Sequence, residues 1–256
     1  MDWIQVIILG VIQGLTEFLP ISSSGHLVLA QHLMDIVNQG VLLEIVLHMG
    51  TLCAILIYYY NDIKELFLSA IINQGDSRIT IIQLIVATIP ALLAGLLFQN
   101  SIAATYTVFL VKYMLIVTGL MVGSTYFFQK SIYKEMMMIT AFYIGIAQAF
   151  ALLPGISRSG MTISMALILG IQRDKAAKFA FFMAIPVLLG AGFLQLFTID
   201  SQHSLSFMLL FLGFISSFVT GYFMINWLLS VISLGYFYLF SLYCFMLSII
   251  IFTMIN

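Results

Sequence analysis

Glu17, Ser23 and His26 fall inside the stretch QGLTEFLPISSSGHL, residues 13–27, and Arg158 falls inside PGISRSGMT, residues 154–162. A serine hydroxyl with an imidazole three positions on is a nucleophile beside a base, provided both share a helical face. Ser23 and His26 do so if a helix begins near Ser22. Gln13 and Glu17, four apart, share a face of the preceding helix, from which Glu17 is able to orient His26, raise its basicity or hold a metal ion. Serines at a helix start also act as caps, the ordinary role for one of Ser22, Ser23 and Ser24. Three in a row exceed that need. A lone histidine in an apolar helix is ordinarily a hydrogen-bonded core residue, and the nearby Ser and Glu favour the chemical role for His26. Arg158 sits between Ser157 and Ser159 in a turn flanked by Gly155 and Gly160 that opens a helix. Free N–H groups and the positive dipole end favour an anion there, and the guanidinium adds two-pronged recognition of phosphate or carboxylate. The ordinary alternative is an arginine snorkelling from a loop. Glu44 and His48, also four apart, read as a structural pair facing the interior, with support of the site as the alternative.

The elements that must position these groups are set by composition. The 256 residues are 62% hydrophobic and 7% charged, with a net charge of −1 and a mean hydropathy of +1.14. Soluble domains carry about a quarter charged residues, so the chain reads as an all-α polytopic membrane protein. Without a basic surface, nucleic acid is excluded as a partner. Cys53 and Cys244 lie in apolar runs and read as buried fillers rather than a disulfide. Asp2 stands where a signal peptide would be basic, which argues against a cleaved leader.

Six full spans are expected, at roughly 41–60, 79–98, 108–129, 179–198, 207–226 and 233–255, each near the ~20 residues a bilayer requires. Residues 1–34 and 136–171 are apolar but broken midway by Pro, Gly and Ser, and each reads as a re-entrant helical hairpin. Irregular backbone at that depth is tolerated only where protein or a watery cavity surrounds it. Ser22, Ser24 and Gly25 follow Gln13 at offsets of 9, 11 and 12, and Ser157, Ser159 and Gly160 follow Gln148 at the same offsets. The chain therefore reads as one integral membrane domain, 1–256, built as an inverted-topology repeat of about 1–135 and 136–256, with a site where the broken helices meet. Lys64, Arg78, Lys130, Lys134, Arg173, Lys175 and Lys178 mark the cytoplasmic loops, where Asp62, Glu65, Asp76, Glu135 and Asp174 are expected to be solvated. Both termini then lie outside, with the first hairpin entering from outside and the second from inside.

The segments QGLTE (13–17), SSSGH (22–26) and PGISRSGMT (154–162), with FMAIPVLLGAG (182–192), give the chain a resemblance to the undecaprenyl-diphosphate phosphatase family, the bacitracin-resistance proteins. That family resembles this chain along nearly its whole length. The resemblance implies a multi-pass enzyme of the bacterial cytoplasmic membrane that removes the terminal phosphate of a C55 polyprenyl diphosphate, recycling the lipid carrier for peptidoglycan synthesis. It implies Ser23 as nucleophile or phosphate ligand, His26 as general acid/base, and Glu17 as helper of His26 or ligand of a divalent cation, Mg or Ca. Arg158, with Ser157 and Thr162, would clamp the diphosphate. Gln13, Ser22, Ser24, Gly25, Gly155 and Ser159 complete the expected binding set. Gln13 stands where many members have Glu, which implies a hydrogen-bonding role. No covalently bound cofactor is expected; the partners are the lipid substrate and the membrane. The competing reading is a polyprenyl-phosphate transporter or flippase on the same plan, which would not require the Ser23–His26–Glu17 set. The type-2 phosphatidic-acid phosphatases also carry Ser-Gly-His, but they require a His where this chain has Ser164.

Overall fold

A computed structural model describes residues 1–36, 41–72, 76–128, 134–196 and 205–254, and helices account for most of them. Among the described residues eleven α-helices follow in order: α1 Trp3–Phe18, α2 Ser23–Leu33, α3 Val41–Tyr58, α4 Tyr60–Ile71, α5 Ser77–Ala103, α6 Val108–Ser124, α7 Met138–Phe150, α8 Arg158–Ile168, α9 Arg173–Leu196, α10 Phe207–Ser233 and α11 Phe240–Met254. Five spans are long and apolar enough to cross a membrane. A sixth follows if α3 and α4, bent by 69°, count as one. The protein is thus an all-helical polytopic membrane protein. The expected spans fall on α3, α5, α6, α9, α10 and α11; their ends beyond residues 128, 196 and 254 lie outside the described residues, as does Lys130.

Caps fix where several helices start. Asp2 and Gln5 form a reciprocal box at α1, Asp2 accepting from Gln5 N (2.8 Å) and Gln5 accepting from Asp2 N (3.0 Å). Thr107 and Ser206 cap α6 and α10. The two interrupted segments each become a pair of short helices, α1–α2 and α7–α8, separated by breaks at 19–22 and 151–157.

Helix α4 departs from the expected loop at 61–78. Its Ile63, Leu66, Phe67 and Ile71 line one side, while Asn61, Asp62, Glu65 and Ser69 line the other. Two polar residues in each turn resemble a loop in composition, yet they repeat with the helical period. Asp62 is not merely solvated, as expected, but ion-paired with Lys178 of α9.

Close packing comes from small residues, since lipid offers no hydrophobic drive between helices. Helix α1 lies on α10, which also packs on α3. A Cβ on Gly14 would stand 1.8 Å from Thr220 Oγ1 and 2.6 Å from Ser217 O, and one on Gly10 would stand 1.9 Å from Ser216 Oγ. Helix α7 lies on α5 in the same way, with Gly145 against Ala87 O, 2.4 Å from the same construction. Helices α6 and α11 form another intimate pair. Lys112 of α6 is sunk among aromatic rings, its Nζ 4.8, 5.7 and 4.6 Å from the centres of Phe109, Tyr113 and Phe252.

Candidate active site

The two breaks meet face to face. A Cβ on Gly25 would lie 3.2 Å from Gly155 Cα, and one on Gly160 would lie 3.3 Å from Pro20 Cβ. Ser22 caps α2 through Gly25 N (3.2 Å) and lies 3.3 Å from Ser24 Oγ. Ser157 caps α8 through Gly160 N (3.1 Å) and lies 3.1 Å from Ser159 Oγ. The Ser157 and Ser159 hydroxyls reach Leu19 O at 3.3 and 2.9 Å. These bonds lock the second break to the first. Thr162, expected at the phosphates, is wholly buried and donates to Arg158 O at 2.8 Å.

Backbone conformation at the breaks is special. Gly155 has φ +93°, and a Cβ there would stand 2.8 Å from Val111 O. Ser22 holds φ +70° without being glycine, a strain of about 1–3 kcal/mol that persists only where surroundings impose it. The surrounding bonds include His26 N and Nδ1 on Ser22 O (3.2 and 2.7 Å) and Cys244 Sγ on Pro20 O (3.5 Å). Thr118 of α6 does the same for the second break, donating to Gly155 O (2.9 Å) and accepting from Ser157 N (3.1 Å).

Glu17 is the hub. It is 6% exposed. Its Oε2 accepts from Ser23 Oγ (2.6 Å) and from Gln13 Nε2 (3.0 Å). Its Oε1 pairs with Nη2 of Arg158, 141 positions along the chain. His48 Nε2 lies 3.9 Å from Oε2. The last turn of α1, the first turn of α2 and the first residue of α8 therefore converge on one carboxylate. A buried ion pair of this kind is costly to desolvate, and removing one partner strands the other. Gln13 supports the anion with an N–H donor, where an ionised glutamate would only accept. Its Oε1 is buried without a partner among the described residues, as are both amide atoms of Gln148.

One expected relationship is corrected. His26 does not face the Ser23 hydroxyl. Its Nδ1 donates to the Ser22 carbonyl, and its Nε2 lies 2.7 Å from the Tyr243 hydroxyl of α11, with the two rings stacked. Equal helical phase did not decide the contact, because Ser23 is the first residue of α2 and its side chain turns back across the break to α1. His48 Nδ1 donates to Glu44 O (2.8 Å), while Glu44 Oε1 accepts from Gln31 Nε2 (3.4 Å).

A cavity of about 120 Å³ borders the hub, lined by Ser24, Glu44, His48, Tyr106 and, from α9, Leu188 and Gly192. Tyr106 comes from the α5–α6 turn, which carries no motif. The residue is 44% exposed and also lines this cavity. The apolar enclosure first, and the charges of Glu44 and Glu17 next, push its phenol up to about 12, so it stays a hydroxyl donor. Thr118 was also overlooked; its signal, a lone Thr inside an apolar span, is equally that of a threonine bonded to its own helix.

The donor set does not suit a resident divalent cation. Mg or Ca needs several oxygen ligands around it. Both Glu17 oxygens are committed to donors, one of them a guanidinium. Among the described residues no group of three or more His, Cys, Asp or Glu is placed to hold a metal ion.

What this arrangement offers is a serine hydroxyl on a carboxylate, a guanidinium on the same carboxylate, and two helix N-termini facing one another. That is equipment for transferring a phosphoryl group. The family model for bacitracin resistance protein BacA matches residues 6–250. Similar proteins include one from Halothermothrix orenii, 39% identical over 259 residues that cover 98% of this chain and 97% of that protein. Another, from Caldicellulosiruptor bescii, is 38% identical with the same coverage. A third, from Methanobrevibacter smithii, is 34% identical over 273 residues, covering 98% of this chain and 97% of that one. All three carry the name undecaprenyl-diphosphatase. The chain belongs to the bacitracin resistance protein BacA family.

Proposed function

We propose that the chain is an undecaprenyl-diphosphatase, hydrolysing undecaprenyl diphosphate to undecaprenyl phosphate and inorganic phosphate in the bacterial cytoplasmic membrane. Family membership and the shared name of the relatives support this reading. The observation that carries it is the convergence of Ser23 and Arg158 on Glu17.

In the proposed course, Ser23 Oγ gives its proton to Glu17 Oε2 as the oxygen bonds to the terminal phosphorus. The bond from that phosphorus to the bridging oxygen breaks, and its electron pair leaves with undecaprenyl phosphate. Water then attacks the phosphoserine. Ser23 recovers its proton from Glu17, and the proton of the water leaves with phosphate. Nη2 is the one Arg158 nitrogen with a partner among the described residues, so the rest of the planar fork serves the phosphoryl oxygens. The N–H groups opening α2 and α8 add to that charge. His26 acts as a positioning residue, tying Ser22 to α11.

The architecture we propose is one domain, 1–256, of six spans (α3, α5, α6, α9, α10, α11) and two re-entrant hairpins (α1–α2, α7–α8). The halves, about 1–135 and 136–256, form an inverted-topology repeat. Support comes from residues 135 positions apart doing matched work. Ser22 and Ser157 cap in the same way, and Gly10 and Gly145 press their helices onto α10 and α5. Outer-face handling of the phosphates is supported by the helix ends lining the cavity, which are those remote from Lys64, Arg78, Lys134, Arg173, Lys175 and Lys178.

Purified protein given farnesyl diphosphate is expected to release phosphate. Tight lipid binding without release, at any pH or metal level, would replace the hydrolase with the flippase reading.

A further inference from the structure

A second and larger cavity, about 470 Å³, lies between α5 and α7. Its walls include Ala94, Phe98 and Thr105 on one side and Ala149, Leu152 and Leu153 on the other. The helices that form it are clamped at one level and splayed at the next. At Gly145 the approach to Ala87 is too close for any side chain, whereas at Gly95 a Cβ would find only Leu152 Cδ1, at 4.0 Å. On the same wall α5 carries Pro90 and leaves the helical range at Phe98 (φ −116°, ψ 15°). Leu92, Leu93, Leu96 and Leu97 are exposed around this stretch, so its surroundings are lipid-like.

The chain links this groove to the reactive site at two points. Thr105 lines the groove, and the next residue, Tyr106, lines the cavity beside Glu17. Leu152 and Leu153 begin the break that ends at Arg158. The volume lies in the range, about 300–1,000 Å³, of pockets that take small molecules. A ligand with its charged end at Glu17 and Arg158 and an apolar remainder would find its continuation here.

We propose that the α5–α7 groove holds the isoprene units nearest the diphosphate, with Tyr106 at the junction of tail and headgroup. This rests on the hydrolase reading above. Apolar burial supplies affinity in proportion to the area covered. A C55 chain is longer than the groove, so its distal units run into the bilayer.

Ala94→Phe and Ala149→Phe fill the groove from opposite walls without touching the headgroup site. Each is expected to raise KM for farnesyl diphosphate about tenfold, with kcat held within about twofold. The inhibition constant of inorganic diphosphate, which has no tail, is expected to stay within about twofold. In the unaltered protein, a farnesyl diphosphate carrying a diazirine on its first isoprene units is expected to label residues 90–105 or 146–153. Unchanged KM in both variants, or labelling confined to other segments, would overturn the groove. If the unaltered protein releases no phosphate from any lipid diphosphate, the hydrolase reading fails, and labelling alone decides the groove.

Discussion

The proton on Ser23 has Glu17 as its acceptor in this structure, and that contact gives each residue near it a distinct expected phenotype. Ser23→Ala removes the oxygen that attacks, so the phospho-enzyme trapped by acid quench in the unaltered protein should vanish with it. A phospho-enzyme that persists in Ser23→Ala would move the nucleophile to another residue, and turnover with no phospho-enzyme in the unaltered protein would return the attack to water. Arg158→Lys keeps the charge but loses the planar fork, and should lower kcat/KM by roughly 10²–10³ in steady-state assays. Parity with the unaltered protein would remove Arg158 from the phosphates. The sequence already pointed to Gln13, Glu17, Ser23 and Arg158, through helical phase and the matched offsets after Gln13 and Gln148. It did not foresee the partner of His26, because phase inside α2 carries no knowledge of Tyr243, 217 positions away. It missed Tyr106 for the same reason: a turn residue reaches the cavity only through the packing of its neighbours.

At the scale of elements, the site depends on two breaks being held in unusual conformations by their neighbours. Thr118→Val deletes both hydrogen bonds to the Gly155–Ser157 segment and should cost about 1–3 kcal/mol, read as a lower midpoint in denaturant titration in detergent. Thr118→Ser should recover most of that, which a purely volumetric effect would not allow. Helix α1 carries Gln13 and Glu17 at the level where Gly14 meets α10. Gly14→Val should therefore destabilise the fold by about 1–3 kcal/mol and lower activity with it, checked by thermal melting and turnover on one sample. Full stability in that variant would mean α1 is not held where it is seen. Most helices were legible from apolar runs and their polar punctuation. Helix α4 was not, because its charges repeat at helical spacing within a stretch whose composition matches a loop.

For the whole molecule, the inverted halves we propose would bring a carboxylate beside one break and a guanidinium beside the other to one point. The basic residues Lys64, Arg78, Lys134, Arg173, Lys175 and Lys178 set the expected sidedness. In a cysteine-free background, Ile36→Cys should react with an impermeant maleimide in intact cells, and Ser69→Cys on α4 only after permeabilisation; the reverse pattern would invert the orientation. In the proposed hydrolysis Glu17, gathered with Ser23 and Arg158 in the core of the fold, is the base. The decisive measurement is phosphate release from undecaprenyl diphosphate by the purified protein beside Glu17→Gln. Release by the unaltered protein is expected, with a loss of roughly 10²–10⁴-fold in kcat for the isosteric amide. A Glu17→Gln protein that works within twofold of the original would contradict it.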